Sequence, residues 1–280
     1  MTNKMTTIAD MKNFLKTIGS TYCFSSKQKY LDRIKTINSY TKFPWREDQK
    51  IILDHFLTNN KTKYYVINGI FGCGKTTLLL GILINSFIKK IHKPTECMFI
   101  SFNVSIKNEI KRKLKNYGFS SKVEVSTFDS IIYKICELYD YPHLKLPNFD
   151  GKRRFVYNIC KEIKNGDKEL YKILTNINII FIDEVQDLEY QCFDIFNTFF
   201  SHCKIVFAGD IFQSIQKEPR ESLLWYLLNT KINNTHITYM RETPRVPQKI
   251  LYTLQYLKII LNLKNKFLVG NLVIMIVILI

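Results

Sequence analysis

Residues 69–76 read GIFGCGKT, a spacing of residue types that could hold a phosphate chain. An apolar run at 64–67 precedes this stretch and another opens at Leu78, so it lies between a predicted strand and a predicted helix, the context that confirms G-x-x-x-x-G-K-[ST]. Glycines let backbone N–H groups turn inward around phosphates, Lys75 can reach the β- and γ-phosphates, and the Thr76 hydroxyl can ligate magnesium. The sequence therefore predicts a site for ATP and Mg²⁺ built from Gly69, Gly72, Gly74, Lys75, Thr76 and Thr77.

A pair of acids ends another apolar run, in FIDEVQD at 181–187. Asp183 can hold the magnesium ion, and Glu184 can polarise the attacking water as the general base of phosphoryl transfer. Adjacent acids alone usually mark a solvated turn, but at a strand end downstream of a phosphate-binding loop they are a much more specific signal. The predicted metal ligands are therefore Thr76 and Asp183.

Five short β-rich runs alternate with helical stretches and would position these motifs. The runs cover residues 64–68, 97–102, 123–127, 179–183 and 204–210. Such alternation predicts an α/β fold, a parallel sheet covered by helices on both faces. Ligands of such sheets bind beyond the carboxyl ends of the strands, where the motifs lie. The alternation is interrupted at about 137–176 by Pro, Gly and charged residues followed by a segment with a helical pattern. This interruption predicts a small, mostly helical insertion.

The charge and the cysteines restrict the partners and the compartment. Lys and Arg number 41 against 24 Asp and Glu, a net charge of +17, and such an excess usually indicates a polyanionic partner, most often nucleic acid. Charge alone leaves DNA, RNA and an anionic membrane open. The seven cysteines show no C-x-x-C pairing, which favours reduced thiols in an intracellular protein and provides no zinc-ligand spacing. Charged residues interrupt the apolar residues of 1–19, so no signal peptide and no secretion are predicted.

The set of motifs resembles that of superfamily 1 helicases, specifically the UvrD-like group. DEVQD is similar to their motif II, and Gln49, ahead of the first strand, resembles the glutamine that reads adenine. ISFNVSIKNEI resembles motif Ia, which implies that Phe102 and Asn103 lie along single-stranded DNA. VSTFDS is similar to the T-F-H-S element, and the resemblance adds Thr127 and Phe128 to the nucleic-acid contacts. In this element Asp129 stands where histidine is usual.

Two further motifs follow in the order of the family. FAGDIFQSI resembles motif III, which makes Gln213 the γ-phosphate sensor that couples the nucleotide to the DNA track. MRETPRVPQKIL resembles motif IV, with Arg245 reaching the γ-phosphate, although Pro244 replaces the usual adenine-stacking aromatic. The resemblance, from about Gln49 to about Leu251, implies a RecA-like P-loop NTPase and an ATP-dependent helicase or translocase on single-stranded DNA, with RNA not excluded. The implied catalytic residues are Lys75, Asp183, Glu184, Gln213 and Arg245.

The expected domain organisation has three parts. A basic helical extension at 1–42 precedes a RecA-like ATP-binding domain at 43–240, and 241–280 holds the incomplete start of a second domain and an apolar tail. The family's second RecA-like domain supplies another arginine to the γ-phosphate, so the chain as written is expected to bind ATP far better than it hydrolyses ATP unless a partner chain supplies that domain.

Two rival interpretations remain open. One is a stand-alone, nucleotide-gated nucleic-acid-binding module without strand separation. The other is a membrane-tethered P-loop ATPase anchored by the apolar tail at 267–280, which as a helix would reach roughly 21 Å, short of a ~30 Å hydrocarbon core. A buried strand or helix, or a disrupted reading frame, would also explain that tail, and no obligate membrane partner is predicted.

Overall fold

The computed structural model describes residues 45–243, except 60, 120, 141–148, 171–174 and 215–218. The predicted N-terminal extension, the apolar tail and most of the predicted start of a second domain lie outside these described residues.

Six parallel strands form one sheet with the spatial order β3-β2-β4-β5-β1-β6. The strands are β1 (Tyr64–Gly69), β2 (Cys97–Ser101), β3 (Glu124–Thr127), β4 (Ile179–Ile182), β5 (Lys204–Gly209) and β6 (Thr235–Met240). The first five coincide with the predicted β-rich runs, which confirms the α/β fold of the RecA-like type. The sixth was not predicted from the sequence, because this edge strand, THITYM, is mostly half-buried and has neither a continuous apolar run nor a regular alternation of polar and apolar residues.

Seven α-helices lie in the described part of the chain. They are α1 (Glu47–Thr58), α2 (Lys75–Ile88), α3 (Val104–Asn116), α4 (Phe128–Leu138), α5 (Phe149–Asn165), α6 (Cys192–Phe199) and α7 (Leu223–Asn229). Short 3₁₀ turns occur at Pro94–Glu96, Val185–Asp187 and Pro219–Glu221. None of these helices is both long enough and apolar enough to cross a membrane.

The two faces of the sheet carry separate apolar cores, because successive side chains of a strand point to opposite faces. Tyr65 and Ile67 of β1 pack on one face with α1, α2 and α3. Tyr64 and Val66 pack on the other face with α4, α5, α6 and α7. The central strands are therefore buried on both sides, and the prediction of helices on both faces is confirmed.

Helix α5 lies in the middle of the predicted insertion. Its residues Val156, Ile159 and Cys160 are buried in the second core, so the helix packs against the ATPase fold. The boundaries of the insertion and of the domains stay predictions.

Candidate active site

The loop between β1 and α2 has a backbone suited to hold phosphates. Gly72 and Gly74 have φ values of 71° and 87°, a region that residues with a Cβ rarely adopt. Gly74 is the N-cap of α2, so the loop leads directly into the N–H groups of the first helical turn, which also contains Thr76 and Thr77. The Lys75 Nζ donates a hydrogen bond of 3.0 Å to the Gly69 carbonyl, which holds the buried lysine across the loop.

The start of α1 contacts this loop from the side. Gln49 is buried, and its Nε2 donates to the Cys73 carbonyl at 3.4 Å. Arg46 donates to the same carbonyl at 2.7 Å. The structure thus brings Gln49 to the phosphate-binding loop, and its predicted role as the adenine-reading residue stays a prediction.

The loop meets the first acid of the DE pair. The Thr76 hydroxyl donates to the Asp183 carboxylate at 2.5 Å, and the backbone N–H of Glu184 donates to the other Asp183 oxygen at 3.1 Å. Asp183 is 1% exposed, and this burial, together with the neighbouring Glu184 carboxylate, raises its pKa, while Thr76 and Lys75 act in the opposite direction. A hydroxyl and a buried carboxylate are the hard oxygen donors that Mg²⁺ prefers, and a bound cation would offset the cost of burying the charge. Thr76 and Asp183 therefore fit a magnesium ion.

Glu184 differs from its neighbour in both exposure and backbone. Its φ of 55° lies in the left-handed region, which is uncommon for a residue with a side chain and frequent at functional sites. The side chain is only half-buried, and its Oε2 accepts a hydrogen bond of 2.7 Å from the Gln186 Nε2. One acid is thus enclosed against Thr76 while the other can reach a solvent molecule.

Gln213 lies in the turn that follows β5. Its Nε2 donates to an Asp210 carboxylate oxygen at 2.6 Å, and the other oxygen accepts from the Phe212 N–H at 3.0 Å. The Asp210 N–H in turn donates to the Gln186 Oε1 at 3.1 Å. Gln186 and Asp210 lie within sequence motifs, but no local pattern assigns them a role, because only the fold brings them into contact.

The predicted nucleic-acid contacts fall into two groups. Asn103 is exposed and caps α3, with its side chain accepting from the Ile106 N–H at 2.9 Å, while Phe102 is partly buried against the second core. Thr127 is 6% exposed and caps α4, and Phe128 is 1% exposed within the core. Capping engages the Thr127 side chain and core packing engages that of Phe128, and their contacts with nucleic acid stay a prediction.

A cluster that the sequence did not reveal joins α5 to the VSTFDS element and to the segment just after DEVQD. Arg153 lies 3.7 Å from an Asp129 oxygen and 3.5 Å from a Glu189 oxygen. Tyr157 donates to the other Glu189 oxygen at 3.2 Å. Burial raises the pKa of Asp129, and Arg153 opposes this change. Arg245 and Pro244 lie outside the described residues, so their predicted roles stay predictions.

The fold and the phosphate-binding loop define a P-loop ATPase domain. The model of the AAA_19 family, an AAA domain, matches residues 54–219, which is more than half of the 280-residue chain. The chain therefore belongs to this family, and the recognition of the ATPase part of a superfamily 1 helicase is confirmed. No curated protein matches the sequence.

Two solved helicase structures are similar to the chain. The Pif1 helicase from Candida albicans has a TM-score of 0.43 and 17% identity, with 76% of this chain and 44% of that chain covered. Unliganded Pif1 from Bacteroides sp. has a TM-score of 0.37 and 14% identity, with 76% of this chain and 45% of that chain covered. The chain thus spans less than half the length of these two Pif1 chains.

Proposed function

We propose that this protein hydrolyses ATP with Mg²⁺ and uses the nucleotide cycle to move along, or to separate, strands of nucleic acid. The observation that carries the proposal is the contact between Thr76 of the phosphate-binding loop and Asp183 at the end of β4, with Glu184 beside it. The proposed ATP-binding domain covers 43–240 with its insertion at about 137–176, and a second RecA-like domain would complete the site.

Each residue at this centre has a distinct proposed task. The N–H groups at the start of α2 and the Lys75 ammonium bind and orient the phosphates. Thr76 and Asp183 would hold Mg²⁺, which when bound neutralises charge that develops on the phosphoryl oxygens. Glu184 accepts a proton from, or orients, the attacking water. Gln213 and Arg245 are proposed, from the family resemblance, to respond to the γ-phosphate.

A basic stripe on α3 supports single-stranded nucleic acid as the track. We define it by the exposed side chains of Lys111, Arg112 and Lys115. Ile110 and Leu114 on the opposite side of the helix are buried, so the stripe faces solvent. The stripe follows Asn103 on the same element, and a net charge of +17 favours binding to phosphates.

The experiment that tests the proposal is ATP hydrolysis by the purified protein with and without single-stranded DNA. Lys75→Ala is the blank, because it removes the ammonium that binds the phosphates. Stimulation by DNA in the wild type, and its absence in Lys75→Ala, would support the proposal. Turnover that single-stranded nucleic acid leaves unchanged would contradict the proposal, and binding of ATP without turnover in any condition would favour a nucleotide-gated binding module. The same assay with RNA of equal length decides which polymer stimulates.

A further inference from the structure

Gln186 lies between two parts of the candidate active site. It is 2% exposed in the 3₁₀ turn that follows β4, two residues after Glu184. Its Nε2 donates to the Glu184 carboxylate at 2.7 Å, and its Oε1 accepts from the Asp210 N–H at 3.1 Å. Both ends of this amide are therefore engaged with different loops.

The contacts continue to the residue proposed to sense the γ-phosphate. Asp210 accepts from the Gln213 Nε2 at 2.6 Å, so three consecutive hydrogen bonds connect Glu184 to Gln213. The main chain of Gln186 adds another link, because its carbonyl accepts from the Ser214 hydroxyl at 3.0 Å. The turn after β4 and the turn after β5 are thus joined through one side chain and its own backbone.

The close approach of Gln186 to β5 limits which residue can stand at position 209. A Cβ built on Gly209 would lie 2.5 Å from the Gln186 Oε1, closer than real Cβ contacts allow. The glycine gives the amide the space it needs to reach the Asp210 N–H. The amide also has one orientation that satisfies both partners, since only nitrogen can donate to a carboxylate and only oxygen can accept from an N–H.

We infer that Gln186 is a positioning residue that couples the orientation of the Glu184 carboxylate to the turn Asp210–Gln213. This inference rests on the proposed function, because it assigns the two connected groups to water activation and to nucleotide sensing. A shift of Glu184 towards a water molecule displaces the amide, and the same displacement changes the hydrogen bond to Asp210. Nucleotide binding at one turn is thereby transmitted to the other.

The test compares Gln186→Met with the wild type. Methionine has a similar length but loses both hydrogen bonds, whereas Gln186→Glu keeps an acceptor for the Asp210 N–H and places a negative charge against Glu184. Gln191→Met is the matched control, since it makes the same change a short distance along the chain and outside this set of hydrogen bonds. Thermal unfolding of each variant establishes that it folds.

The structural measurement is amide hydrogen exchange in residues 208–214, with and without Mg²⁺ and a non-hydrolysable ATP analogue. We expect the analogue to slow exchange in the wild type and in Gln191→Met, and to leave it unchanged in Gln186→Met. Binding of a fluorescent ATP analogue should stay within about twofold in all three proteins, because the hydrogen bonds of Gln186 go to Glu184, Asp210 and Ser214 and not to the phosphate-binding loop. Without the analogue, Asp210 should exchange about tenfold faster in Gln186→Met.

The kinetic measurement separates positioning from a purely structural role. We expect Gln186→Met and Gln186→Glu to lower kcat by about tenfold or more with little change in KM, since the loss affects only the reacting geometry. A Gln186→Met protein with wild-type kcat and wild-type, analogue-dependent protection would overturn the inference. If the wild type binds the analogue but does not hydrolyse ATP, the proposed function fails, and the exchange experiment alone still decides for or against the coupling.

Discussion

Thr76 and Asp183 are 107 positions apart in the chain, yet the hydroxyl of one donates directly to the carboxylate of the other. Thr76 follows β1 and Asp183 follows β4, and β5 lies between these strands in the sheet. The loops after β1 and β4 therefore meet across the end of β5, which is also where Asp210 and Gln213 lie. This meeting point is the centre of the candidate active site.

Replacing the Thr76 hydroxyl should weaken Mg²⁺-dependent nucleotide binding. Thr76→Val keeps the shape but removes the oxygen, so we expect nucleotide affinity in the presence of Mg²⁺ to fall roughly 10- to 100-fold. Thr76→Ser keeps the oxygen and should stay close to the wild type. Titration of a fluorescent ATP analogue at several Mg²⁺ concentrations measures the effect, and equal Mg²⁺ dependence in Thr76→Val and the wild type would exclude Thr76 as a ligand.

Removing the Glu184 carboxylate should separate binding from hydrolysis. Glu184→Gln keeps the size and a hydrogen-bonding group but cannot accept the proton, so kcat should fall by about 10²- to 10⁴-fold while ATP affinity is retained. The Lys75→Ala protein provides the comparison, because it should lose binding as well. Steady-state hydrolysis and equilibrium titration measure the two quantities, and normal turnover in Glu184→Gln would sink the assignment of the base.

The main strands and the positions of the phosphate-binding residues could be predicted because their signal lies in short, continuous stretches of sequence. Apolar runs mark buried strands, and polar residues such as Lys75 and Asp183 follow directly at their ends. The roles that depend on distant contacts could not be predicted in the same way. The contact of Gln186 with Asp210, and that of Arg153 with Asp129, join segments whose packing no local pattern specifies. For Phe128 the motif predicts a nucleic-acid contact, whereas the burial of its side chain at the start of α4 becomes visible only in the fold.

Neutralising the basic stripe of α3 should weaken nucleic-acid binding mainly through the phosphates. The change to glutamine at all three positions removes three positive charges, so we expect the slope of log affinity against log salt for single-stranded DNA to decrease by about 2. The control makes the same change at three exposed lysines outside α3, namely Lys89, Lys90 and Lys231. Fluorescence anisotropy at several salt concentrations measures both slopes, and equal slopes in the two triple variants would show that the stripe has no special part in binding.

Lys204 should make the stability of the fold depend on pH. Its Nζ donates to the Asn59 carbonyl at 3.0 Å and lies 4.2 Å from the centre of the Phe56 ring. Burial lowers the pKa of Lys204 from 10.5 to about 8. Between about pH 8 and pH 10.5 the unfolded chain binds more protons than the folded one, so the free energy of unfolding rises with pH. The stability gained by losing the buried charge of Lys204 is therefore complete above the unfolded pKa of 10.5 and is lost as the pH falls through the folded pKa of about 8.

Lys204→Met should flatten this dependence, because methionine fills the same space without a charge. We expect the gain in the free energy of unfolding between about pH 7.5 and 9.5 to be smaller in Lys204→Met than in the wild type. Urea unfolding at the two pH values measures it, and Lys89→Met is the control at an exposed position. The same gain in Lys204→Met and the wild type would contradict the lowered pKa.

Arg153 should couple helix α5 to the ATPase fold. Its side chain is 18% exposed and lies between the carboxylates of Asp129 and Glu189, on segments that follow β3 and β4. Arg153→Met leaves both acids without their nearest cation, and Asp129→Asn removes one of those acids. In a double-mutant cycle, we expect a coupling free energy of about 1 kcal/mol between Arg153 and Asp129, because contacting charges in one ion-pair network are not additive.

Urea unfolding of the two single variants and the double variant gives this coupling. The matched cycle uses Lys113 and Glu109, an ion pair of 2.7 Å between residues four apart on α3, for which about 0.3–0.5 kcal/mol is expected. Arg153 should exceed this value, since its guanidinium is less exposed to solvent and contacts two acids from different elements. Strictly additive effects of Arg153→Met and Asp129→Asn would mean that the Arg153–Asp129 ion pair contributes nothing to holding α5 against the fold.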